Sequence, residues 1–142
     1  MTSQVHDSPQ GWVNEHIQKY VETDGAEGHI WQGVPTLLLT TKGRKSGEWR
    51  RTALIYGAQN GAYVIVASQG GKPTHPAWYL NLQAEPLVHV QVAADKFDAR
   101  ARTADDQERA MLWPLMTAIW PAYDEYQTKT DRQIPIVVLD RV

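Results

Sequence analysis

The chain has no cysteine in 142 residues, so disulfides, thiolate nucleophiles and cysteine-based metal sites are excluded. It has one phenylalanine against six tryptophans and six tyrosines. Its aromatic surface therefore comes almost wholly from rings with a polar tip, which suit pocket walls and interfaces as well as cores. Its apolar runs are short; "IPIVVL" is far below a membrane span. The opening "MTSQVHDSPQ" lacks the apolar segment of a secretory signal. The expectation is a cytoplasmic chain with no integral membrane segment. There is no GxGxxG, no Walker loop and no βαβ rhythm, which argues against a dinucleotide fold. There is no GxSxG nucleophile elbow and no arguable glycosidase carboxylate pair. Of the five histidines, His6, His16, His29, His75 and His89, none pairs at i, i+4 with another. No acid completes a ligand set, so no metal is expected. An enzyme with this sequence would need a cofactor to carry the hard chemistry.

What is present is an ordinary globular composition, 42% hydrophobic and 21% charged. It fits one domain over residues 1–142, with disorder expected over 1–8. The formal net charge is −2, so general affinity for nucleic acid is not expected and any anion binding must be local. One stretch stands out, "TTKGRKSGEWRR", residues 40–51. Five cations, Lys42, Arg44, Lys45, Arg50 and Arg51, face the single acid Glu48. That leaves +4 locally and −6 on the rest of the chain.

The spacing of Val13, His16, Ile17, Tyr20 and Val21, with Trp12, predicts a first helix over 9–23, capped by Ser8 with Pro9 at its first position. Gly25 and Gly28 end it. Strands are predicted at 36–41, 49–57, 63–68, 87–92, 96–103 and 134–140. Asn60-Gly61 supplies the positive φ angles of a hairpin turn. Short helices open at Pro76 and after Pro121. A longer one spans 105–117, capped by Thr103 or Asp105 and interrupted by Pro114. About six mostly antiparallel strands with flanking helices predict an α+β domain around a small barrel.

Two stretches offer binding chemistry. In the basic turn, Gly43 and Gly47 allow close backbone approach. Arg44, Lys45, Ser46 and Arg50 there form either an anion cradle or a solvated basic hairpin. In "VIVASQGGKPTHPAWYLNL" a strand ends at Ser68, a glycine loop follows and a helix opens at Pro76. This is either a site for a flat ring with a polar edge or a loop capped by buried aromatics.

Together, "TTKGRKSG" with Arg50, "VIVAS" with "GG", "HPAWYLNLQAEP" and "WPAYDEYQTKTDRQIPIVVL" resemble the deazaflavin (coenzyme F420)-dependent nitroreductase family of actinobacterial oxidoreductases, from about residue 30 to the end. The resemblance implies a split β-barrel related to the flavin reductases and pyridoxamine oxidases. It also implies reduced coenzyme F420 as hydride donor, and no metal. Arg44, Lys45, Ser46 and Arg50 would grip the phosphate and tail carboxylates. Thr52, Ala53, Leu54 and Ile55, with Val66, Ala67, Ser68 and Gln69, would flank the deazaflavin. Ala77, Trp78, Tyr79, Leu80 and Asn81 would close its ring and tail side. Trp120, Tyr123 and Tyr126 would line the acceptor site, with Tyr123, Tyr126 and Ser68 as hydroxyl donors to the reacting atoms. Gln69 stands where family members often carry a cation, and Trp120 where the nitroreductase has a tyrosine. Two acceptor classes stay open: conjugated esters, lactones and ketones such as coumarins, and quinones. A non-catalytic deazaflavin carrier is the alternative from another class. An FMN enzyme is disfavoured, because one phosphate does not need so many cations. The oligomeric state is not legible.

Overall fold

A computed structural model describes residues 5–8 and 11–142. Among these, nine strands form one mixed sheet and four helices pack on it. The long strands are β3 (Val34–Lys42), β4 (Trp49–Ile55), β6 (Ala62–Val66), β7 (Leu87–Val92), β8 (Asp95–Thr103) and β9 (Ile136–Arg141). Three short ones join them: β1 (Val5–Asp7), β2 (Ile30–Trp31) and β5 (Gly57–Gln59). The order is β1-β4-β3-β7-β8-β9-β6-β5, with β2 paired on β3. The architecture is α+β, a split barrel whose sheet does not close: β4 and β6 approach without forming a ladder.

Strand alternation sorts the apolar residues of β3. Leu37 and Leu39 point into the barrel with Ile65, Val88, Val90 and Leu139. Leu38 points outward and is covered by Val13, Ile17 and Tyr20 of α1 (Gly11–Glu22). These helix residues recur every three to four positions, so a single face is apolar. A third cluster joins Val64, Val66 and Val138 to α3 (Asp106–Ile119) and α4 (Ala122–Thr128). The helix α2 (Ala77–Ala84) buries Tyr79 and Leu82 against the barrel.

Several expectations are corrected. Residues 5–7, inside the stretch expected to be disordered, form β1, which lies parallel to Trp49–Arg51 and is pinned where Arg51 Nε and Nη2 donate to the Asp7 carboxylate at 2.6 and 3.2 Å. Residues 1–4, the Pro9 start of the helix and the Trp12 ring lie outside the described residues. The strand expected over 49–57 ends at Ile55, and Gly57 turns away to pair with Val64. Asn60 and Gly61 do take positive φ, 53° and 80°, in that hairpin. Asp105 caps α3 by accepting from the Glu108 N–H at 2.8 Å. The helix continues through Pro114. Pro114 and Ala110 are both exposed, so water can serve the carbonyl that loses its partner.

Candidate functional site

The split between β4 and β6 leaves one edge of β4 open. Arg51 turns its carbonyl outward to accept from the Ser8 N–H at 3.0 Å, while Tyr56 turns its N–H inward to the Pro35 carbonyl at 3.2 Å. Antiparallel alternation therefore turns the N–H and C=O groups of Ala53 and Ile55 outward, beyond the reach of β1. Along this edge runs a cleft of about 640 Å³. Its walls come from β4, the 66–70 loop, the start of α2, Trp120 with α4, and the N-terminal segment with α1. From Arg50 to Ile55 is about 17 Å of strand, at about 3.3 Å per residue.

The basic end lies at Arg50. There Arg51 is spent on Asp7, whereas Arg50 has only a loose contact to Glu48, 3.5 Å long. The neighbouring loop is tied down from within. Gly43 N–H donates to the Glu48 carbonyl, Gly47 N–H to the Gly43 carbonyl, and Glu48 N–H to Ser46 Oγ. Arg44 donates its backbone N–H and Nη1 to Asn81 Oδ1 at 3.2 and 3.1 Å, and Asn81 Nδ2 donates to Thr41 Oγ1. Buried Asn81 thus holds the loop against α2 and β3. The N–H groups of Lys45 and Ser46 remain at the exposed tip.

The other end is aromatic. Trp31 and Trp120 meet with ring centroids 5.6 Å apart, and Tyr123 and Tyr126 meet edge-on at 6.2 Å. Trp120 Nε1 donates to the Tyr126 hydroxyl at 3.5 Å. Tyr123 is only 5% exposed. Its hydroxyl bonds no described residue, yet no buried polar side-chain atom among the described residues lacks a partner. The Tyr123 hydroxyl is therefore not sealed in the core, and the residue lines the cleft. Burial, and secondarily Tyr126, push its pKa above the usual tyrosine value, so it stays a neutral donor.

Of the residues singled out in the sequence, Arg50, Thr52, Ala53, Leu54, Ile55, Val66, Ser68, Gln69, Ala77, Trp78, Asn81, Trp120, Tyr123 and Tyr126 line this cleft. Ala67 and Tyr79 do not. Alternation turns Ala67 into the barrel between Val66 and Ser68, and Tyr79 is buried in the core, its hydroxyl bonded to Thr103 Oγ1 at 2.8 Å. Arg44, Lys45, Ser46 and Leu80 are also outside the lining, the first three on the loop that flanks the basic end.

Sequence reasoning missed six contributors. The N-terminal residues His6, Asp7 and Ser8 line the cleft, as do His16 and Trp31. Arg132 shapes it from behind. Its guanidinium donates to the carbonyls of Ala67, Ser68 and Lys72, at 3.2, 2.6 and 2.9 Å, and to His75 Nδ1 at 3.1 Å. Among the described residues no carboxylate pairs with this charge. The arginine clamps the loop that carries Ser68 and Gln69 into the cleft. No short motif signals it, because its partners are backbone carbonyls some 60 positions away.

Residues 12–141 match a family model described as F420H(2)-dependent quinone reductase. An F420H(2)-dependent quinone reductase of Mycobacterium tuberculosis (strain ATCC 25618 / H37Rv) is 41% identical over 130 residues, 89% of this chain and 87% of that protein. A solved structure of an F420-H2 dependent reductase is 45% identical, with a TM-score of 0.69 over 75% of this chain and 94% of its own. Another, described as a domain-swapped dimer, is 42% identical, with a TM-score of 0.73 over 94% of this chain and 100% of its own.

Proposed function

The chain belongs to the F420H(2)-dependent quinone reductase family, and from that membership we propose that it is a cytoplasmic enzyme that transfers a hydride from reduced coenzyme F420 to a quinone. Conjugated esters, lactones and ketones are a second acceptor class, which the same cleft would admit by its flat aromatic end. The observation that carries the reading is the polarity of the cleft: cations at one end, paired indoles and tyrosines at the other, and an unpaired strand edge between.

The residues present fit the cofactor. Arg50, with Arg44 and Lys45 on the flanking loop, would hold its phosphate and tail carboxylates. The outward N–H and C=O groups of Ala53 and Ile55 match a ring with an amide-like edge, and Trp78 and Val66 supply apolar wall. When bound, the deazaflavin supplies a hydride that reacts poorly with oxygen. The chain's own task is positioning. Trp31 and Trp120 would stack a flat acceptor, and the Tyr123 hydroxyl would donate to the oxygen on which charge develops. A carrier has no use for such an aromatic compartment beside the ring site.

The test is to mix purified protein with reduced F420 and follow its oxidation with quinones, coumarins and simple enones. Oxidation that needs both protein and a conjugated acceptor supports the reading. Tight binding without turnover on any acceptor would establish a carrier instead.

A further inference from the structure

Hydride addition to a conjugated carbonyl leaves an oxyanion that must gain a proton. Tyr123 and Tyr126 line the site, but burial makes Tyr123 a weaker acid than an ordinary tyrosine. Asp7 is bound to Arg51, and His6 lies 3.4 Å from Glu48 near the basic end. The aromatic end also carries one imidazole. His16 projects from α1 into the cleft beside Thr36, which pairs with Ile55 on β4. Thr36 also adjoins Pro35, the partner of Ile30 in the short ladder that carries Trp31.

We propose that His16 is the proton donor of the acceptor site, its imidazolium giving a proton from Nδ1 to the oxyanion of the reduced acceptor. This rests on the hydride-transfer reading above.

The geometry fixes the ring. His16 Nε2 lies 3.3 Å from Thr36 Oγ1, and that hydroxyl donates to the Gly28 carbonyl at 2.7 Å. Having spent its proton there, Thr36 Oγ1 accepts from Nε2–H. His16 lines the cleft, and no buried side-chain nitrogen among the described residues is left unpaired, so Nδ1, which Thr36 does not hold, is not sealed in the core. The step balances. The reduced deazaflavin would give up a hydride from carbon and be oxidised by two electrons, while the acceptor is reduced: its new C–H bond forms and the π pair moves to the carbonyl oxygen. The Nδ1–H bond then breaks as O–H forms. The imidazole left behind is neutral, keeps Nε2–H on Thr36, and is reprotonated from solvent.

The groups facing His16 do not supply a standing countercharge. Tyr20 on the next turn is 6.3 Å away between centroids, and Tyr20 in turn meets His29, which bonds the Tyr56 hydroxyl. Arg51 and Asp7, the latter also held by Gln18 of α1, neutralise each other. Burial lowers the pKa of His16, and the Gly28 carbonyl partly offsets this. The lowered value favours the neutral ring and makes the imidazolium, when it forms, a stronger acid than a free one.

Two measurements test this. Imidazole 15N NMR on the cofactor-free protein should show His16 as the Nε2–H tautomer, and added 4-nitrophenolate, an oxyanion mimic, should shift its titration upward. In turnover, wild-type rate at saturating substrates should fall as pH rises past His16's titration. His16→Gln, which keeps a donor for Thr36, should lose that dependence and about 100-fold in rate. Added imidazole should restore part of the rate in His16→Ala. A His16 resonance unmoved by the phenolate, or His16→Gln with wild-type rate and pH profile, overturns the proposal. Wild-type protein that oxidises no reduced F420 overturns the parent reading instead, and the NMR result then decides on His16 alone.

Discussion

Tyr123 lines the cleft but is almost wholly buried, its ring between those of Trp113 and Tyr126. Replacing it by Phe removes a donor without opening a cavity or stranding a partner. Tyr123→Phe should therefore keep its stability and its affinity for reduced F420, while turnover falls roughly 10- to 100-fold. Kinetics at saturating cofactor, beside a binding titration, check this; unchanged turnover on every acceptor would reduce the tyrosine to a wall. His75 is a second single-residue case. Burial and the Arg132 charge both lower its pKa below the ordinary 6.5. The folded state thus prefers the neutral ring, which accepts from Arg132. The stability that follows is fully present above pH 6.5 and is lost as pH falls through the depressed folded value. Denaturant unfolding between pH 7.5 and 5 should show wild type losing more stability than His75→Gln. His16 acts in the same sense and remains in both proteins, so the difference isolates His75. Equal losses would show that the Arg132–His75 contact does not govern the loop.

At the level of elements, the loop 67–75 and helix α4 are built against each other. Gly71 has φ of +83°, and a β-carbon there would lie 2.7 Å from the Tyr126 carbonyl. Gly71→Ala should cost about 1–3 kcal/mol through the left-handed backbone alone. The clash would also push α4, with Tyr123 and Tyr126, off its seat. Thermal unfolding and acceptor KM should both change; if only the melting temperature moved, loop and helix would not be coupled through this contact. The same elements show what a sequence can reveal. The six long strands and four helices were readable because each spans several periods of its pattern, or is bracketed by Pro and Gly. β1, β2 and β5 have two or three residues each, too few for any period to show. The basic turn and the tyrosines were visible as local chemistry. His16 was hidden in plain view, as one member of an apolar helix face with Ile17 and Tyr20. Its site role depends on Thr36, twenty positions away. Arg132 was invisible for a similar reason.

Over the whole molecule, charge is divided unequally, +4 in residues 40–51 against −2 overall. Within that stretch Arg51 is neutralised by Asp7, but Arg44, Lys45 and Arg50 are exposed with at most a loose acid contact. An anionic ligand approaching the cleft meets a positive end on a chain that elsewhere repels it, so the field orients as well as attracts. These cations are exposed, and charges further apart than about 10 Å are screened at 0.1 M salt. Affinity for reduced F420 should therefore fall steadily as salt rises. Arg44→Ala with Lys45→Ala should weaken binding by about 2–4 kcal/mol at low salt, roughly 1–2 per charged contact. It should also flatten the salt dependence. The variant reports charge and not loop collapse, because the Arg44 backbone N–H still donates to Asn81 after truncation. A dissociation constant that is unchanged in the double variant at low ionic strength would remove the basic loop from the binding site and leave Arg50 alone at the cleft to hold the anion.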